Sequence, residues 1–421
     1  MKVEKLVLRH FRNISESEFR PSPHLNFLVG PNGQGKTSYL EALSFLGTLR
    51  SFRGSKPHEV IQWKQSHAEV RATLSSESGD AGDAWTAELK TIFDLPDPLQ
   101  PKASKIAFIN GKPYRSSTQY LSQRFGSFQF GFHTVIFNPS DHDLIRGEPA
   151  LRRSYLDKVL AAENIEYLRA LQKYQRILEH RNAVLKDYWQ KQNQGKELLF
   201  GFTQSLAQSA VYLTLERLKW IYKAAEHLNN TAQQIAPGQP FLKLIYHSNW
   251  APETAGLCST NNNLTFRDFA GHQPLPSLEL LEQGFWNQVS LLESAEWRVG
   301  HSLVGPHRDD WAFYFGDQPL KGHGSQGEVR SALLALKLSE IELFRNQTGH
   351  RPLFLLDDFS SELDRERRSF LLRFLSDTDL QVFVTTTEES LFLGKRHWVI
   401  NGSLREDEHS GQSEQSPRVS E

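Results

Sequence analysis

Apolar and polar residues alternate over Val3–Phe11, the period of a half-buried strand, and the mainly apolar run Leu25–Val29 ends at a glycine-rich loop. From Lys36 to about Gly47 the period changes, with Leu40, Leu43 and Leu46 on one face of a predicted helix. Further strands are expected at Ala68–Leu74, Trp85–Phe93 and Lys105–Ile109, with loops at Ser75–Asp83 and Asp94–Lys102. Asn110–Gly111 stands where a tight hairpin needs positive φ. The middle of the chain reads differently. After Pro149 there is no proline until Pro237, and Tyr155, Val159, Ile165, Leu168, Leu171 and Leu178 recur at spacings that fit a helix. A break at Asn193–Lys196 predicts two long helices returning antiparallel, a short arm without a strict heptad. Beyond it we expect a strand at Phe241–Tyr246, a polar connection at Ala251–Pro274 and a helix at Leu278–Val299. A strand at Trp311–Phe315 and an amphipathic helix at Gly327–Arg345 follow. Leu353–Leu356 and Val382–Thr386 have the continuous apolar character of buried parallel strands.

Composition narrows the class. Charge nearly cancels, at −1 over 421 residues, so a polyanionic partner would be met by local patches. Hydrophobic residues at 38% suffice for a large core. The single cysteine, Cys258, excludes an intrachain disulfide and a cysteine-built metal cage. No apolar run is long enough to span a membrane, and the N-terminus lacks a signal-peptide pattern, so a soluble cytoplasmic protein is expected. Leu404–Glu421, with five acids against two arginines, reads as a disordered acidic tail.

The chemistry begins at Gly30-Pro31-Asn32-Gly33-Gln34-Gly35-Lys36-Thr37, which fits G-x-x-x-x-G-K-[ST] at every fixed position. Such a loop turns its backbone N–H groups inward around phosphate oxygens, in conformations closed to most residues with a Cβ. Lys36 would reach the β- and γ-phosphates, the Thr37 hydroxyl would ligate Mg²⁺, and the following helix would aim its positive end at the same anion. More than three hundred residues later, an apolar strand ends in Asp357-Asp358. Asp357 is placed to hold Mg²⁺, directly or through water, and Asp358 to polarise the attacking water.

Gly324-Ser325-Gln326-Gly327-Glu328 precedes a helix, where a serine and backbone amides can clasp the γ-phosphate of ATP held by another subunit. Ser360-Ser361-Glu362-Leu363-Asp364 and the strand end Thr385-Thr386-Thr387 complete the series. Each alone reads as a helix cap or a polar strand end. In this order, with a helical arm between the halves, they resemble the ATPase heads of the ABC/SMC group. The fold class expected is therefore α/β: an ABC/SMC-type P-loop head, mixed sheet plus parallel-sheet core, with an inserted antiparallel helical arm. Its expected parts are residues 1–147 and 301–402 for the two halves of the head, 148–300 for the arm and 403–421 for the tail. An ABC-type ATPase unconnected with DNA, or a P-loop kinase of a small substrate, are the alternatives.

The residues resemble the RecF family over about 1–402. The resemblance rests on Leu8-Arg9-His10-Phe11-Arg12-Asn13-Ile14, on Gly30–Thr37 with Ser38-Tyr39-Leu40-Glu41-Ala42, and on Phe137-Asn138-Pro139 leading to Gly147–Asp157. Gly305-Pro306-His307-Arg308-Asp309-Asp310 is its most specific element. It implies a short-armed, DNA-binding ATPase that dimerises on ATP, with Ser325, Gln326, Gly327 and Glu328 acting in trans and slow hydrolysis as a timer. Its implied partners are RecO and RecR, which load the RecA recombinase at single-strand gaps in cytoplasmic, nucleoid-associated DNA. The Gln129 region gives no clear Q-loop glutamine, and Thr386 or Thr387 stands where many ABC ATPases carry histidine.

From the residues themselves, two basic segments suit contact with DNA backbone phosphates without sequence reading. Residues 1–56 have net charge +5, including Lys2, Lys5, Arg9, Arg12, Arg50, Arg53 and Lys56. Residues 146–186 have +4, with Arg152, Arg153, Lys173, Arg176 and Arg181. Arg152 and Arg153 could equally brace the junction of arm and head, and Arg308 could pair with Asp309 or Asp310.

Overall fold

The computed structural model describes residues 1–76, 85–96, 103–123, 132–187, 195–251, 258–259, 275–359, 364–388 and 394–406. Strands β1 (Lys2–Phe11) and β2 (Ile14–Phe19) form a hairpin, and β3 (Leu25–Val29) leads through the glycine-rich loop into helix α1 (Lys36–Thr48). Strands β4 (His67–Ser76), β5 (Trp85–Asp94), β6 (Ser104–Ile109) and β7 (Lys112–Tyr114) extend the hairpin into an antiparallel sheet of order β2-β1-β4-β5-β6-β7. Asn110 and Gly111 turn with φ of 49° and 79°, as a two-residue hairpin requires.

A second sheet is assembled from distant parts of the chain. It holds β3, β8 (Thr134–Phe137), β13 (Leu353–Leu356), β14 (Val382–Thr386), β15 (Lys395–Ile400) and β16 (Ser403–Glu406), in the order β16-β15-β3-β14-β13-β8. All its pairs are parallel except β15–β16. Because side chains alternate across a strand, each strand feeds two cores. Phe27, Val29, Val135, Phe354, Leu356, Val382 and Val384 face the helical side. Leu28, Ile136, Leu353, Leu355, Phe383 and Val399 face α1, which lies between this sheet and the antiparallel one. That double burial explains why these strands read as continuous apolar runs.

The arm holds α2 (Pro149–Glu163), α3 (Ile165–Asp187) and α4 (Gly195–Ile235). The expected first long helix is thus two. Asn164 leaves helical geometry at φ −135°, ψ 114°, and its side chain accepts the amide of Glu166 at 2.9 Å, so one residue ends α2 and caps α3. At the arm's base, β9 (Leu242–His247), β10 (Cys258–Ser259), β11 (Asp310–Phe315) and β12 (Gln318–Pro319) form a third sheet. Helix α5 (Leu278–Val299) packs on α4; α6 (Gln326–Thr348) lies against β8, and α7 (Arg365–Asp377) packs on α4, its Leu371 and Leu375 joining the core on the helical side of the parallel sheet.

Two expectations are corrected here. The segment read as the start of a disordered tail, 403–406, is strand β16: Asn401 and Gly402, at φ 48° and 77°, reverse the chain so that Ser403 pairs with Ile400. The remaining residues, 407–421, lie outside those described. The basic face of the arm is also smaller than its sequence suggests. Arg181 is buried against Glu296 at 2.6 Å, Ser302 at 2.6 Å and Thr203 at 2.9 Å. Arg152 is buried too, with one edge of its guanidinium, Nε and Nη2, on the two Asp310 oxygens at 2.6 and 2.7 Å. Arg153 donates to the Asp309 carbonyl at 2.9 Å. Both brace the arm on the head.

Candidate nucleotide site

The phosphate-type loop sits at the carboxyl ends of β3, β13 and β14, the place where parallel sheets gather ligands. Its glycines have separate reasons. A Cβ on Gly30 would lie 2.5 Å from the Val399 carbonyl, so only glycine lets the loop cross the backbone of β15. Gly33 and Gly35 hold φ of 80° and 104°, and a Cβ on Gly35 would also strike the Asn13 amide at 2.7 Å. Two hairpin turns grip the loop from outside. Asn13 accepts from Ser38 Oγ at 3.2 Å, while the Asn401 and Gly402 amides donate to Gln34 Oε1 and carbonyl at 2.6 and 2.9 Å. Gln34 is therefore a strut; Asn13 stands in a segment that carries the family resemblance but has no site role assigned there, and Asn401 is not distinguishable as a site residue in the sequence. Pro31 and Asn32 form the solvent-facing crest.

Lys36 folds over this loop, its Nζ donating to the carbonyls of Gly30 and Pro31 at 2.5 and 2.8 Å. Burial lowers its pKa, while Asp358 and Asp357 oppose that shift. The first turn of α1 carries no acid of its own.

Thr37 and Asp357, 320 residues apart, meet at 2.8 Å between Oγ1 and Oδ1. The same carboxylate oxygen accepts Thr385 Oγ1 at 2.8 Å, and that hydroxyl in turn accepts the amide of Asp358 at 2.8 Å. Burial pushes the Asp357 carboxyl up despite both hydroxyl bonds. Two hard oxygens on adjacent ligand positions of an octahedral Mg²⁺ stand about 2.9 Å apart, from bonds of 2.0–2.1 Å. The Thr37–Asp357 separation fits that edge. Asp358 follows in the left-handed region, φ 52°, and is partly exposed at the mouth of the site.

Ser325, Gln326, Gly327 and Glu328 form the N-terminus of α6. Ser325 Oγ accepts the Glu328 amide at 3.2 Å, and the Glu328 carboxylate accepts the Ser325 amide at 2.8 Å, a reciprocal cap. The Ser325 hydroxyl keeps its proton for an external acceptor. Gly327 is packed under Arg367, whose guanidinium would be 3.1 Å from an added Cβ. Arg367 also bonds Ser331 at 2.8 Å and pairs with Asp364, the last residue of the Ser360–Asp364 segment. Residues 360–363 and Gln129 lie outside those described. Thr386 receives Gly30 N on its carbonyl at 3.3 Å, tying the strand end to the phosphate loop.

The Gly-Pro-His-Arg-Asp-Asp segment lies at the joint of arm and head. Asp309 accepts from Tyr246 at 2.7 Å and Trp250 at 3.1 Å, and Asp310 is held by Arg152. Arg308 donates instead to the Ser302 carbonyl at 3.2 and 3.3 Å, so the pairing expected with Asp309 or Asp310 does not form. Within the basic N-terminal segment, Lys5 pairs with Glu18, Arg9 with Glu16 and Arg12 with buried Glu41, which reduces the charge it can offer. A cavity of about 870 Å³ opens elsewhere, between the end of α1 and helices α2 and α3, and is no part of the phosphate loop.

The fold and the split site define a P-loop ATPase head of the SMC type with an inserted helical arm. An SMC head from Pyrococcus furiosus shares the fold, with a TM-score of 0.53 at 14% identity over 96% of this chain and 95% of that one. The model of the RecF/RecN/SMC N-terminal domain matches residues 2–402. "DNA replication and repair protein RecF" of Halalkalibacterium halodurans is 32% identical, covering 92% of this chain and 93% of its own. Its counterpart in Geobacter sulfurreducens is 34% identical, over 93% and 94%. The structure of "the recombination mediator protein RecF-ATP in RecFOR pathway" has a TM-score of 0.79 at 26% identity, covering 96% and 97%. The chain belongs to the RecF family.

Proposed function

We propose that this chain is an ATP-switched, DNA-binding recombination mediator whose heads join on ATP and part on hydrolysis. The meeting of Thr37 with Asp357 carries the reading, because it builds one nucleotide site from the two ends of the chain. The loop of residues 30–37 would wrap the phosphates, with Lys36 released from its own carbonyls onto the β- and γ-oxygens. Thr37 and Asp357 would hold Mg²⁺, which neutralises phosphate charge when bound. Asp358 would polarise the attacking water. Ser325–Glu328 would close on the ATP of a second copy, the serine hydroxyl and the α6 amides supplying donors.

The family relatives named for DNA replication and repair support DNA as the partner. The neighbour described within the RecFOR pathway supports RecO and RecR as partners. RecA loading at gaps would follow downstream, with slow hydrolysis as the release step. The site of action would be the nucleoid in the cytoplasm. Among the described residues no helix is long and apolar enough to cross a membrane.

Sedimentation with ATP, with ADP and without nucleotide, beside the Ser325→Arg variant, tests this. A dimer formed only with ATP and lost in the variant is expected. A monomer in every condition that still binds ATP would refute the switch, and a phosphorylated small product would establish a kinase instead.

A further inference from the structure

The Thr385 hydroxyl stands between the two acids of the site. It donates to Asp357 Oδ1 and accepts the amide of Asp358, both at 2.8 Å, and the side chain is buried at 1% exposure. A hydroxyl has one proton, so these two bonds fix which way it points. Its own strand, β14, lies between β13, which leads directly into the acids, and β3, which feeds the phosphate loop; Thr385 is paired with Leu28, one residue before Val29. Asp358 needs such a tether. A non-glycine residue in the left-handed region costs on the order of 1 kcal/mol, and its direction would be lost if its amide let go.

We infer that Thr385 is a positioning residue of the phosphate site, its hydroxyl aiming the Asp357 carboxylate at Thr37 and fixing the turn that presents Asp358. The inference rests on the ATP-site reading above and adds the residue that sets its geometry. It also separates Thr385 from the strand-end threonines that follow. Thr386 spends its hydroxyl on the Glu388 amide at 3.0 Å, outside the pair of acids.

The isosteric Thr385→Val removes both hydrogen bonds and keeps the volume, while Thr385→Ser keeps the hydroxyl. Lost partners of metal-holding groups cost about 10–100-fold in metal affinity or activity. The Val variant should therefore raise the Mg²⁺ concentration for half-maximal ATP binding about tenfold and lower kcat 10–100-fold, with KM for ATP within threefold. The Ser variant should restore each value to within threefold of the parent. A readout free of metal and nucleotide accompanies these: hydrogen exchange at the Asp358 amide should speed up in the Val variant and stay slow in the Ser variant. An unchanged Asp358 amide and unchanged Mg²⁺ response in the Val variant would overturn the inference. So would a Ser variant as damaged as Val, which would make the methyl group the operative part. If the parent protein binds no ATP, the proposed function fails, and the amide exchange alone still decides the role of Thr385.

Discussion

Arg217 in α4 offers a quantitative test of what holds the arm to the head. Its guanidinium is buried and makes five hydrogen bonds: to Asp157 at 2.7 and 3.2 Å, Tyr167 at 3.1 Å, Tyr246 at 3.3 Å and the Pro306 carbonyl at 2.7 Å. Arg217→Met keeps most of the apolar stem. The two tyrosine hydroxyls retain other partners, Tyr167 on Asp157 and Tyr246 on Asp309, so they lose little. What is stranded is the Pro306 carbonyl, and the Asp157 carboxylate keeps Tyr167 but loses its counter-ion. Removing one partner of a buried ion pair costs about 3–5 kcal/mol. Asp157 keeps 18% of its side chain in solvent, which puts the expectation at the low end, about 3 kcal/mol. For a chain of this size that corresponds to a fall in Tm of roughly 3–4 °C, read by calorimetry. The double variant Arg217→Met, Asp157→Asn separates causes: it removes the orphaned charge while leaving an oxygen to accept the Tyr167 hydroxyl, and should recover at least half of the loss. ATP-analogue affinity, read by fluorescence, should stay within twofold, since the joint shares no residue with the phosphate loop. A single variant that loses less than about 1 kcal/mol, or a double variant no better than the single, would refute the orphaned-carboxylate reasoning.

Gly30→Ala should weaken ATP-analogue binding at least tenfold, because its Cβ meets main chain 2.5 Å away, whereas Gly33→Ala, with open space around its Cβ, should cost only the strain of its positive φ, about 1 kcal/mol; equal losses in a titration would contradict this. His307 takes the Tyr174 hydroxyl on Nδ1 at 2.6 Å and the Ser302 carbonyl on Nε2 at 3.1 Å, an arrangement for the neutral ring with its proton on Nε2. Burial, joined by the cations Arg308, Arg153 and Arg181, pushes its pKa down to about 4. The folded value lies below the unfolded one, so the stability it brings is present above about pH 6.5 and is lost as pH falls toward 4. Relative to His307→Gln, the parent should lose about 3 kcal/mol across that window, and parallel Tm–pH curves for the two would exclude the effect.

The segments that were legible in the sequence are those whose chemistry is local. The phosphate loop announces itself because its glycines are needed for conformation, and Leu353–Leu356 because both its faces are buried. β8 and β15 escaped because four to six residues, with Thr134 or with Lys395, Arg396 and His397 among them, carry too little pattern outside a sheet assembled from remote segments. β16 escaped for another reason: Ser403-Leu404-Arg405-Glu406 is polar enough to pass for solvent, and only the Asn401–Gly402 turn betrays the hairpin. Arg181 illustrates the limit for charge. It sits among cations in a helix that reads as a solvated face, yet Glu296 arrives from α5, 115 residues onward, to bury it. Arg367 matters through Ser331, 36 residues away, and nothing at its own position distinguishes it; Asn13 and Thr385 lie in segments the sequence singles out, but their contacts with Gly33 and Asp358, 20 and 27 residues away, leave no local sign.

The grip of Asn401 and Gly402 on Gln34 has a consequence for how the protein comes into being. The loop emerges from the ribosome near the start of synthesis, but the turn that clamps it is made 367 residues later. At about 5–20 residues per second that gap lasts on the order of 20–70 s. Throughout it the nascent chain carries a phosphate loop without its outer clamp, and for most of it without Asp357 as well. A product cut short before residue 401 therefore lacks the hold on Gln34, and one cut short before residue 357 also lacks the acid that meets Thr37.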